Sequence, residues 1–171
     1  FDLSPEQIKK LDRINLVACG TAYYASEIIS SYIRQFTNLR SEAFIASEFP
    51  AKSVCSENTL TIGVSQSGET KDTLDALFEA KKFGSHISSI CNVIGSTMAR
   101  LTGNGAYLHA GPEYAVASTK VFTNMVAVGL LFALTVSNIG TTEKKALIKE
   151  LRKLPNIISS QLLEVDDSIS K

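Results

Sequence analysis

The run Leu60-Thr61-Ile62-Gly63-Val64 leads directly into Ser65-Gln66-Ser67-Gly68-Glu69-Thr70, and then into a helix-patterned segment over 72–83 that stops at Gly84. Three hydroxyls and a glycine therefore stand where an apolar strand ends and a helix begins. The first backbone N–H groups of a helix lack internal partners and carry the positive end of its dipole. A glycine lets a ligand approach that backbone, and Ser or Thr hydroxyls donate to phosphate oxygens without adding a fixed charge. The ordinary reading is a Ser/Thr-capped helix start, which needs only one hydroxyl. Three favour a phosphate-binding loop.

Two further segments follow the same plan. Ile14-Asn15-Leu16-Val17-Ala18 reads as a first strand, followed by Cys19-Gly20-Thr21 and an amphipathic helix from Tyr23 to Phe36. Glu113-Tyr114-Ala115-Val116-Ala117-Ser118-Thr119-Lys120 opens an apolar helix continuing to Val136. Further strands are expected at 42–46, at 87–91 and, more weakly, at 106–109, with short helices at 47–51 and 96–101. Short apolar strands alternating with helices predict β-α-β crossovers and a parallel sheet. In such a sheet the strand-end loops converge on one edge, where ligands bind.

Ala18-Cys19-Gly20-Thr21, Ala46-Ser47-Glu48-Phe49, Ser65 to Thr70, Cys91-Asn92-Val93 and Val116-Ala117-Ser118-Thr119-Lys120 closely resemble the first sugar isomerase (SIS) domain of the glutamine–fructose-6-phosphate aminotransferase family. The resemblance runs from about Arg13 to about Gly140. It implies a three-layer αβα sandwich on a five-stranded parallel sheet, flavodoxin-like or Rossmann-like, over residues 1–140. A helical extension over 141–171 would lead toward a second SIS domain. It also implies fructose 6-phosphate or glucose 6-phosphate as ligand. Ser65, Ser67 and Thr70 match the family's phosphate-holding hydroxyls, assisted by the backbone of Gln66 and Ser67. Gln66, Cys19, Gly20 and Thr21 match positions near the sugar, and Val116 and Ser118 match positions at its hydroxyl end. Ala22 departs from the pattern, because many members carry serine there.

The resemblance places the isomerising chemistry elsewhere. In the family a glutamate, lysines and a histidine from the second SIS domain, the C-terminal tail or a neighbouring subunit move the proton and open the ring. The amidotransferase half, with its N-terminal cysteine nucleophile, lies upstream. No catalytic residue, metal or cofactor is assigned to this chain, which is expected to bind substrate without turning it over. It begins at Phe1 with no signal-peptide pattern and is expected to be a piece of a longer protein.

Composition limits the remaining classes. With 171 residues, 44% of them hydrophobic and 20% charged, the chain suits one soluble globular domain. Lys+Arg and Asp+Glu both number 17, so no net field draws it to nucleic acid or to a membrane surface. The most apolar stretch, 125–136, is shorter than the ~18 residues that a membrane span needs. Cys19, Cys55 and Cys91 are widely spaced with no C-x-x-C pair, which argues against zinc or a disulfide framework and fits a reducing cytoplasm.

Other polar residues have everyday explanations. Glu69 and Asp72 are candidates for a base and its partner, but a carboxylate beside a phosphate dianion is repelled, whereas acidic groups suit a first helical turn. Lys120 has three readings: phosphate, Glu113 or solvent. His86 and His109 lack a carboxylate partner in the sequence and read as structural. Two rival functions remain: a stand-alone aldose–ketose phosphate isomerase, for which Glu48 or Glu69 would be the base, and a non-catalytic sugar-phosphate sensor.

The helix over 121–136 is apolar around nearly its whole circumference, which predicts cover from another subunit, hence a homodimer, or from the missing domain. Cover by the 147–163 helices is the alternative. Past Gly140, Thr141 or Thr142 is expected to cap a helix that Pro155 interrupts or kinks.

Overall fold

The computed structural model describes residue 1, residues 3–114 and residues 118–169. The contacts divide the chain into two units, Phe1–Ser137 and Asn138–Lys171. The first opens with α1 (Pro5–Lys10) under a capping box: the Ser4 hydroxyl accepts the Gln7 N–H at 3.2 Å and the Gln7 side chain accepts the Ser4 N–H at 2.8 Å. Then follow β1 (Arg13–Ala18), α2 (Thr21–Phe36), β2 (Arg40–Ile45), a 3-10 turn Ala46–Glu48 and α3 (Phe49–Lys52). Next come β3 (Thr59–Ser65), α4 (Lys71–Lys82), β4 (His86–Cys91), α5 (Thr97–Thr102), β5 (Gly105–Tyr107) and α6 (Lys120–Val136). The second unit holds α7 (Thr141–Leu151) and α8 (Leu154–Ile169).

All five strands run parallel in the order β2-β1-β3-β4-β5. The central strands are covered on both faces, and their side chains alternate between two cores. Leu16 and Ala18 of β1, with Leu60, Ile62 and Val64 of β3, pack with Ala25, Ile29 and Ile33 of α2 and Val121 and Met125 of α6. Val17 points the other way, into a core with Phe44, Phe49, Ala76, Leu77 and Met98. This is the three-layer αβα arrangement.

The fold rests on these cores. A fully buried Ile or Leu contributes about 1.5–3 kcal/mol relative to exposure. The ion pairs Lys52–Glu48, Lys71–Asp75 and Lys82–Glu79 are largely exposed, and such pairs contribute about 0–1 kcal/mol.

The strand order positions the site. From β1 the chain crosses by α2 to β2 on one side, and from β3 it crosses by α4 to β4 on the other. Because α2 and α4 lie on opposite faces, the C-terminal ends of β1 and β3 part around a crevice.

Several boundaries differ from the sequence expectation for local reasons. Helix α2 starts at Thr21 rather than Tyr23, directly after Gly20 at φ +58°. β5 covers Gly105–Tyr107 rather than 106–109, because His109 takes a left-handed φ of +51° that ends extended pairing. α7 begins after Gly140, and neither Thr141 nor Thr142 caps it. Pro155 is the second residue of α8, where its missing N–H costs nothing, and the helix ends at Leu151 and resumes at Leu154.

The apolar α6 is covered in part by α2. A Cβ on Gly129 would stand 2.2 Å from Ile29 Cγ1, so the two helices meet at the glycine backbone. Phe132 lies against Phe1, with ring centroids 4.4 Å apart. Leu131 remains 40% exposed. Among the described residues no helix is long and apolar enough to cross a membrane.

Candidate functional site

At the end of β1, Cys19 and Gly20 lead into α2. Gly20, at φ +58° and ψ −135°, is the N-cap and offers no side chain. A Cβ there would meet nothing within 4 Å, so the glycine serves the backbone turn and leaves open space beside it. At the end of β3, Ser65 to Thr70 lead into α4, whose N-cap Thr70 makes no side-chain capping bond. By contrast, Ser4 caps α1 and Ser96 caps α5. The two helix starts flanking the crevice thus carry the positive ends of their dipoles without a side-chain cap.

A cleft of about 200 Å³ lies between them, lined by Cys19, Thr21, Ala22, Val64, Ser65, Gln66, Ser67, Thr70, Glu113, Ser118 and Met125. Seven of the nine substrate-contact positions expected from the sequence are in that lining, and Gly20 adjoins them as the α2 N-cap. Val116 lies outside the described residues. Ala22 lines the cleft as well, so the departure from the family pattern falls at the site itself.

The hydroxyls of the serine loop also order the loop. Ser65 Oγ accepts the Gly68 N–H at 3.1 Å and lies 3.2 Å from Thr70 Oγ1. Ser67 Oγ accepts the Glu69 N–H at 3.1 Å. From behind, the loop is braced by the β4–α5 connection: Met98 N–H donates to Gly68 O at 2.9 Å and Asn92 N–H to Gln66 O at 3.1 Å. Gly68 has φ +67°, and a Cβ there would stand 2.2 Å from Ser96 Oγ.

Glu69 completes that brace. Its carboxylate accepts the Thr97 N–H at 2.8 Å, at the start of α5. That hydrogen bond is the main reason its carboxyl sits below the usual carboxylate range, with a smaller contribution from Arg100. Glu69 is absent from the cleft lining. Glu48 pairs with Lys52, and Asp72 stands exposed in the first turn of α4. None of the three carboxylates weighed from the sequence faces the cleft.

Glu113 does face it, and sequence reasoning missed its role. Its carboxylate accepts the N–H of Thr119 at 3.0 Å and that of Val121 at 3.5 Å, closing the N-terminus of α6. The Thr119 N–H is the chief reason its carboxyl is held low. The Ser118 hydroxyl adds to that lowering from a position outside hydrogen-bond geometry. Lys120 donates to Pro112 O at 2.6 Å, and no ion pair with Glu113 forms. The only sequence signal for this cap is an acidic residue seven positions before the helix.

Asn92 anchors the same segment, donating to Gly111 O at 2.8 Å and accepting the Ala110 N–H at 2.9 Å. His109 lines a second, more open cavity of about 620 Å³ with Gln66, Asn92 and Glu113. His86 lies at the start of β4, away from both. Cys19 Sγ lies 3.8 Å from Thr73 Oγ1, and burial pushes the Cys91 thiol up. Among the described residues, no group of three or more His, Cys, Asp or Glu side chains would hold a metal.

Fold and cleft together define a doubly wound α/β domain with its candidate site at the switch point of the sheet. The chain belongs to the SIS domain family, which matches residues 7–135. It is 40% identical over its whole length to the glutamine–fructose-6-phosphate aminotransferase (isomerizing) of Caldanaerobacter subterraneus subsp. tengcongensis, of which it covers 29%. It is 42% identical, over 91% of its length, to the protein of the same name from Clostridium acetobutylicum, of which it covers 26%. Among solved structures, the C-terminal domain of glucosamine-fructose-6-phosphate aminotransferase from Francisella tularensis superposes with a TM-score of 0.88 at 30% identity. That match covers 96% of this chain and 48% of the other.

Proposed function

We propose that this chain is the sugar-phosphate cradle in the isomerase half of a glutamine–fructose-6-phosphate aminotransferase, which makes glucosamine 6-phosphate from fructose 6-phosphate and glutamine. The observation that carries the reading is the pair of helix starts without side-chain caps, flanking Ser65, Ser67 and Thr70 in one cleft. The phosphate sits at the α4 end, held by the loop backbone and the Ser67 and Thr70 hydroxyls. Its sugar runs past Thr21 and Gln66 toward Ser118. The reading needs neither cofactor nor metal, and it puts the protein in the cytoplasm.

Calorimetric titration with fructose 6-phosphate tests it. Replacing Ser67 or Thr70 with alanine removes a hydrogen bond to a charged group, a loss of about 1–2 kcal/mol each, or about five- to thirtyfold in affinity. Both replacements together are expected to weaken binding further while leaving the thermal transition nearly in place. Unchanged affinity in the double variant would sink the assignment.

The reading extends to a homodimer that uses the outer face of α6. Leu131 is exposed there, and Leu130 beside it is only half-buried. Light scattering across a concentration series is expected to show self-association that weakens in a Leu131→Lys variant. A strict monomer at high concentration excludes it.

A further inference from the structure

One wall of the cleft is not explained by phosphate binding. Glu113 lines it beside Ser118, although a carboxylate there opposes a phosphate dianion. One of its oxygens, Oε1, is committed to the start of α6, accepting from the Thr119 N–H at 3.0 Å, the Thr119 hydroxyl at 3.4 Å and the Val121 N–H at 3.5 Å. Thr119, the N-cap, makes no side-chain capping bond of its own. So of the three helix starts at the cleft, α6 is filled with negative charge while α2 and α4 carry no side-chain cap. The same clamp ties down the residue just ahead of the helix, Ser118, whose Oγ is buried without a hydrogen-bond partner. A buried hydroxyl left unpaired is unfavourable, and the open space next to this one is the cleft.

We infer that Glu113 is a positioning residue that sets the polarity of the cleft. By capping α6 it holds Ser118 against the uncharged end of the ligand and confines the anionic group to the α2 and α4 end. The inference rests on the sugar-phosphate reading of the same site. It makes Glu113 a determinant of selectivity for a phosphorylated polyol over a bare anion.

The test compares fructose 6-phosphate with inorganic phosphate, titrated into the whole chain and followed by calorimetry and amide NMR. In Glu113→Ala the affinity ratio of the sugar phosphate to inorganic phosphate is expected to fall about fivefold or more, the scale of one lost hydrogen bond. Ser118→Ala should lower the ratio similarly. Glu113→Ala should then cost nothing further in the Ser118→Ala background, as expected for residues acting through one another. Thr119 and Val121 amides should exchange faster in both Glu113 variants. Glu113→Gln keeps an acceptor oxygen and should lower the ratio less than alanine does.

A Glu113→Ala chain in which both ligands weaken in step, or in which the two losses simply add, overturns the inference. If that variant does not fold, an unchanged ratio in Glu113→Gln with faster Thr119 exchange overturns it equally. Binding of fructose 6-phosphate that depends on Ser67 and Thr70 but not on Glu113 removes this inference alone. Binding indifferent to Ser67 and Thr70 removes the site reading and this inference together.

Discussion

Given fructose 6-phosphate and either glutamine or free ammonia, this chain alone is expected to bind the sugar phosphate and turn over at the background rate. Isomerising a ketose phosphate needs a base that moves a proton between neighbouring carbons, and a positioned general base contributes about 10²–10⁴ in rate. Glu48, Glu69 and Glu113 each hold a structural contact: Glu48 pairs with Lys52, Glu69 closes α5 and Glu113 closes α6. Neither histidine lines the cleft. The chain spans 29% of the length of its Caldanaerobacter relative, which leaves ample sequence there for the acid–base groups. Supplying ammonia directly removes dependence on glutamine hydrolysis and isolates the missing base as the cause. Purified chain that isomerised fructose 6-phosphate at a rate abolished by Glu48→Gln or Glu69→Gln would instead establish a stand-alone isomerase.

Replacing Gly68 with alanine is expected to lower stability by about 2–6 kcal/mol and to abolish measurable sugar-phosphate binding. Two costs combine. A non-glycine residue held in a left-handed conformation is strained by about 1–3 kcal/mol, and Gly68 has φ +67°. Its added methyl would also stand 2.2 Å from Ser96 Oγ and 2.6 Å from Ser96 Cβ. Overpacking of that kind costs about 1–3 kcal/mol. Ser96 cannot swing away freely, because its hydroxyl accepts the Ala99 N–H and so caps α5. The loop must therefore give way, taking Ser67 and Thr70 out of register with α4. Chemical denaturation reads the stability loss and calorimetry the binding loss. In a Ser96→Gly background the steric part should vanish while the strain remains, so the substitution should cost less there. A Gly68→Ala chain with unaltered transition and affinity would show that the serine loop is not braced as described.

The parallel sheet could be read from apolar runs spaced by helix-length segments, and β3 with its seven buried residues is the clearest instance. The serine loop, the cysteine–glycine turn after β1 and the helix start at Ser118 were legible for the same reason. Each is a local pattern of strand, hydroxyl or glycine, and helix within about ten residues of chain, and local patterns follow from backbone sterics and side-chain period. The SIS motifs fix which positions those are.

The partner of each polar side chain was not legible in this way. Glu69 looks like a first-turn acid of α4, yet it reaches Thr97, 28 residues on, because β3 and β4 are neighbours and their loops end side by side. Asn92 fastens Ala110 and Gly111 across the adjoining β4–β5 edge. Glu113 caps α6 from outside the three-residue window in which capping boxes are recognised. The all-round apolarity of α6 pointed to a missing partner, whereas part of its cover is α2, admitted to the helix backbone by Gly129.

The class of fold, the order of elements and the hydroxyls that line the cleft all follow from residues close together in the chain, where backbone sterics and side-chain period act directly. Which helix starts stay without a side-chain cap and which are filled is settled by packing. That choice depends on parallel strands bringing distant loops to one edge, where a carboxylate from one loop can occupy the helix of another.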